Sequence, residues 1–153
     1  MKLRLIFTIV NFSLLFALLV IEPLRCGGRL PEVPAAQFPP AIVIVEGKSA
    51  QGFSYLSGGV SSDEREALEE RGKTYNLKLI FAEKSGAYLA SVKLVIADAQ
   101  GKEIISNTTN GPWFYAQLPS ANYSIAATSN GQTKTIRSLN LAKGKFVQQV
   151  LLW

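Results

Sequence analysis

The chain has 153 residues, 48% of them hydrophobic, with one cysteine and no histidine, which is the size of a single domain. One cysteine excludes a disulfide within the chain, and the lack of histidine removes Ser-His-Asp and Cys-His catalysis, the usual general base near neutral pH and most zinc sites. The net charge of +5 is partly an upstream effect, since Lys2, Arg4 and Arg25 against Glu22 leave +3 for residues 26–153. No basic run or basic–aromatic strip occurs, so the charge argues for solubility and against a nucleic-acid surface.

Residues 5–21 read LIFTIVNFSLLFALLVI, with no charge and with Thr8, Asn11 and Ser13 as the polar interruptions. Lys2 and Arg4 precede this run, and a positive start before an apolar core is the pattern of an export segment. Residues 1–26 are therefore expected to form an export helix, either a signal peptide or a membrane anchor. This uncharged run of 17 residues is short for a span and long for a signal core. Small residues for cleavage occur only around Cys26/Gly28 or Val33/Ala35. Cys26 directly after such a segment is a candidate for lipidation, although Pro23 and Arg25 stand where a lipoprotein signal carries leucine and a small residue. Membrane contact is expected only through this segment or a lipid on Cys26, with a periplasmic or cell-envelope location.

Residues 27–60 form a Gly/Pro-rich arm, because each X-Pro step disfavours helix, and residues 41–47 (AIVIVEG) are a candidate short strand within it. Residues 61–73 are predicted as a short helix. Ser61 and Glu64 have capping-box spacing, Asp63, Glu64 and Glu66 lie at the positive end, Arg71 at the negative end, and Gly72 supplies the stop. With only Ala67 and Leu68 as apolar contacts, it reads as a surface element.

From Thr74 the period becomes two. Tyr75, Leu77, Leu79 and Phe81 share one face, with Asn76 and Lys78 on the other; Ala90, Val92, Leu94 and Ile96 repeat the pattern up to a turn at Asp98-Ala99-Gln100-Gly101. Further strands are predicted at residues 103–107, 113–118, 123–128, 133–139 and 145–153. Asn130-Gly131 marks a type I′ hairpin, which needs positive φ at both central residues. Seven strands in about 80 residues leave no room for crossover helices, so residues 74–153 are expected to be an antiparallel seven-stranded sandwich.

Within this region, ASVKLVIADAQG (residues 90–101) resembles the early hairpin of carboxypeptidase regulatory-like domains, which are transthyretin-like sandwiches. Tyr115-Ala116-Gln117-Leu118-Pro119-Ser120-Ala121-Asn122-Tyr123-Ser124-Ile125 is similar to that family's aromatic–x–x–Leu-Pro-x-Gly-x-Tyr-x-aliphatic signature, with Ala121 standing where the family has glycine. Residues 55–64 (YLSGGVSSDE) also resemble the lead-in of a group of exported bacterial proteins that carry this domain. The resemblance implies a transthyretin/immunoglobulin-like sandwich acting as a non-catalytic accessory or binding module. Its hydroxyisourate-hydrolysing relatives depend on histidines, which this chain lacks. Some related sandwiches form a Lys–Asn cross-link from an early strand such as that of Lys78, but the last strand carries Gln148 and Gln149 and no asparagine, so none is expected.

Glu83, Asp98 and Glu103 are the acids near strand ends that acid-only glycosidase chemistry would need, yet acids at turns are usual in solvated β-proteins. Asp63, Glu64 and Glu66 fit helix N-terminal charge better than a calcium loop, and Gly58-Gly59-Val60-Ser61-Ser62 fits a capped lead-in better than an anion cradle. No cofactor or metal is expected. Trp113, Phe114 and Tyr115 are consecutive and must point to both faces of their strand; one face fills core, and Trp113 or Tyr115 on the other is the candidate ligand contact. The expected function is a non-enzymatic envelope module that binds protein or glycan through a sheet edge or this aromatic face. The alternative is a purely structural, lipid- or helix-anchored envelope protein.

Overall fold

A computed structural model describes residues 43–153; residues 1–26, expected to form an export segment, and Cys26 within them lie outside the described residues. These residues form two β-sheets and one helix, an all-β sandwich with a helical cover. In chain order they are β1 (Val45–Lys48), β2 (Ser54–Gly58), α1 (Ser62–Gly72), β3 (Leu77–Ala82), β4 (Lys93–Asp98), β5 (Glu103–Thr108), β6 (Trp113–Ala116), β7 (Ala121–Ser129), β8 (Gln132–Leu141) and β9 (Val147–Leu152). The first sheet has the order β1-β2-β6-β3-β9 and the second β5-β4-β7-β8.

Two features differ from the expected antiparallel seven-stranded sandwich. The last strand β9 runs parallel to β3, pairing Leu77 with Val147 and Lys78 with Gln148. The arm also contributes β1 and β2 to the first sheet, with Tyr55 opposite Ala116 and Ser57 opposite Phe114. Strand β2 has no clean alternation flanked by turn residues; it is held by a neighbour, β6, that comes more than fifty residues later.

The alternation from Thr74 onward fixes the core. Leu77, Leu79 and Phe81 from β3, with Phe114 and Ala116 from β6, meet Leu94 and Ile96 from β4, Ile125 and Ala127 from β7, and Leu139 and Leu141 from β8. Because every second residue of a strand faces the same way, the first sheet turns one face to this core and the other to α1. The predicted hairpin at Asn130-Gly131 forms with φ of 47° and 75°, the positive values its turn type needs. At Asp98 the side chain accepts from the amides of Gln100 and Lys102, both at 2.9 Å, and closes the β4–β5 turn. Ala121 opens β7 opposite Leu141 without positive φ, so alanine is accommodated there.

The helix is a surface element, with Glu64, Leu68 and Gly72 its buried residues, but it packs more closely than its composition suggests. Its N-cap is Ser61, whose hydroxyl accepts from the Glu64 amide at 3.1 Å. Leu68 is fully buried on the outer face of the first sheet, in a small second core with Leu56, Trp113 and Tyr115. Gly72 acts by size more than as a stop: a Cβ there would run into the Tyr115 ring, so glycine lets the last helical turn lie against the sheet.

Candidate functional site

The outer face of the first sheet divides at the edge of α1. Under the helix lie Leu56, Trp113, Tyr115 and Lys78; beyond it, β9 is bare.

Beneath the helix, Trp113 and Tyr115 do share a face opposite Phe114, but it is not an open aromatic surface. Tyr115 is 2% and Trp113 8% exposed, with α1 packed over them. An accessible Trp113 stacking platform is therefore replaced by a buried one. Its occupant is the side chain of Lys78, whose Nζ lies 3.5 Å from the Trp113 ring centroid and 5.3 Å from that of Tyr115. The Trp113 Nε1 is buried without a hydrogen-bond partner among the described residues.

Lys78 is 5% exposed, and its one hydrogen bond among the described residues is to Glu69 Oε1 at 3.4 Å. Burial pushes its ammonium below the usual lysine range, and Glu69 offsets part of that shift. Tyr115 is pushed up to about 12 by burial and, secondarily, by Glu69, so its phenol stays protonated. Tyr75 is raised for the same first reason and then by Glu46, and it meets Tyr115 edge to face at 6.4 Å. These groups floor a cavity of about 400 Å³ lined by Glu69, Gly72, Lys73, Tyr75, Lys78, Tyr115, Phe146 and Gln148. Sequence reasoning placed Lys78 on the face of its strand opposite Leu77 and Leu79; the signal it lacked was that a helix of few apolar residues would lie over that face.

At the other end of α1, the Gly58-Gly59-Val60 turn is filled by the chain's own anion. Glu64, 6% exposed, accepts from the amides of Val60 at 2.8 Å, Gly59 at 3.1 Å and Val43 at 3.2 Å. Desolvation raises its pKa, but these amides, with that of Ser61, outweigh it and hold the carboxyl below its ordinary 4.5. Arg65 completes the clamp by donating to the carbonyls of Gly59 and Val60.

Beyond the helix, β9 ends the first sheet. The Val147 amide donates to Asn76 O at 2.9 Å and the Trp153 amide to Ala82 O at 3.0 Å. A parallel ladder uses alternate residues, so the amides of Gln148, Val150 and Leu152 face the free edge. No strand among the described residues pairs with that edge. Val150 and Leu152 are about half exposed, as is Phe146 just before the strand.

The remaining candidates are dispersed. Glu83 is exposed and hydrogen-bonded to Ser85, Asp98 is occupied with its turn, and Glu103 is exposed at the start of β5. Lys78 lies opposite Gln148, so a glutamine holds the position a Lys–Asn cross-link would need. Among the described residues no three of His, Cys, Asp and Glu gather as metal ligands, and no helix is long and apolar enough to cross a membrane. Neither the protein-family models nor the curated proteins compared with the chain give a match.

Proposed function

We propose that this chain is a non-enzymatic, exported envelope module of transthyretin-like type that binds a partner protein by accepting an extended strand along β9. The observation that carries the reading is the open ladder at Gln148, Val150 and Leu152. An unpaired, uncharged strand edge with apolar side chains is a template for strand addition, and sheets without such a role blunt their edges. The contrast within the molecule is plain: β8, the edge of the second sheet, carries Lys134 and Arg137, whereas β9 has no charge. The chain's own arm is a poor occupant, since Pro31, Pro34, Pro39 and Pro40 cannot donate to a continuous ladder. The export reading rests on the pattern of residues 1–26, and the family reading on the signature around Tyr115 and Tyr123.

Val150→Pro tests the edge, because the amide it removes points away from β3. A photo-crosslinking residue at position 148, introduced in the cells that make the protein, is expected to yield one defined heterologous adduct. Val150→Pro should abolish that adduct at unchanged melting temperature. Equal adducts in Val150→Pro, or from position 134 on β8, overturn the proposal. An adduct only with a second copy overturns it in favour of self-assembly.

A further inference from the structure

Lys78 does not need a cavity to be a good core residue, yet it has one. An ammonium has three N–H donors. Here they meet one carboxylate oxygen, at 3.4 Å, and the face of Trp113. That leaves donor capacity on a side chain that is 93% out of solvent and forms part of the cavity floor. The Tyr115 hydroxyl makes no hydrogen bond among the described residues, and its high pKa keeps it a donor. Beside these polar groups stand the rings of Tyr75, Tyr115 and Phe146, so the lining joins polar donors to aromatic surface and the volume suits one substituted ring.

We propose that this cavity binds a small aromatic carboxylic acid, with its carboxylate on Lys78 Nζ and the Tyr115 hydroxyl and its ring against Tyr75 and Phe146. Two charged groups from the α1 side face the site, Glu69 and Lys73. Lys73 is already paired with Glu70. Glu69 is the competitor: its side chain is 63% exposed and its bond to Lys78, at 3.4 Å, is long. A ligand carboxylate takes its place as Glu69 turns to solvent. The Trp113 ring then continues to cover the other side of the ammonium. This site does not depend on strand addition at β9, and either can fail without the other.

Titration of the whole protein with 4-hydroxybenzoate, followed by amide chemical shifts, is the direct test, with 4-hydroxybenzamide as the neutral isostere. The acid is expected to shift residues around 72–78 and 113–116, and the amide to bind far more weakly. Lys78→Met should weaken the acid by about tenfold or more, the loss of one charge-assisted hydrogen bond. Glu69→Gln should tighten it several-fold by removing the competing anion, and it leaves Lys78 in place should Lys78→Met fold poorly. Equal binding of acid and amide, no shifts at millimolar acid, unchanged affinity in folded Lys78→Met, or unchanged or weaker affinity in Glu69→Gln each overturns the proposal.

Discussion

The two faces of the five-stranded sheet are built from the same strands but by different rules. The inner face is largely apolar, meeting β4, β7 and β8 through side chains such as Leu79, Phe81 and Phe114 that are wholly buried. The outer face is a patchwork: an aromatic cluster with a lysine in it, a buried carboxylate at one end of the helix, and a bare strip along β9. The difference teaches where function has room. A face packed against a second sheet is fixed by volume, whereas a face covered by one short helix leaves a cavity at its margin and an open edge beside it.

That comparison breaks first if the outer layer proves to be a loose flap. Phe114→Ala removes a fully buried ring stacked 5.4 Å from Tyr55 and should cost about 4 kcal/mol. Leu68→Ala, on the helix, should cost about 2–3 kcal/mol if α1 is a true layer. Chemical denaturation measures both, and a Leu68→Ala loss near zero would mean that the helix contributes cover but no core.

Gly72→Ala sharpens the same point through its sign. Glycine-to-alanine in a helix ordinarily stabilises by about 1 kcal/mol. Here the new Cβ meets the Tyr115 ring, so the substitution should instead destabilise by about 1–3 kcal/mol and perturb the cavity beside it. A stabilised Gly72→Ala protein would show that the helix end stands off the sheet.

The smallest effect is the pH dependence at Glu64. Its folded pKa is held below 4.5, so its contribution is fully present above that value and is lost as pH falls through the lower folded value. Glu64→Gln should therefore be about 1–2 kcal/mol less stable than the unaltered protein at neutral pH, and the gap should close in acid. Parallel denaturation curves from pH 7 downward measure it, and a gap constant with pH would mean that the carboxylate's charge is irrelevant to the Gly59-Val60 turn.

Much of the inner face was legible in the sequence. Period-two alternation from Tyr75 to Phe81 and from Val92 to Ile96 assigns side chains to the core directly, because a strand offers only two faces. Asn130-Gly131 and Asp98 announce turns through their own backbone chemistry, and Ser61 announces a helix start the same way. The candidate site was legible only in part. Tyr115 and Trp113 were correctly placed on one face, but their burial and the role of Lys78 beside them depend on α1. Its packing rests on one leucine and the absence of a side chain at Gly72.

What is local therefore follows from the residues in order: the strands of residues 74–153, their turns and the capped helix. The tertiary structure alone decided what is distant. It brought β2 alongside β6, set β9 parallel to β3, covered Lys78 and left the edge at Val150 and Leu152 open. The physical reason is that alternation and capping act over a few residues, whereas burial of an outer sheet face depends on which far-off segment happens to be small enough to lie on it.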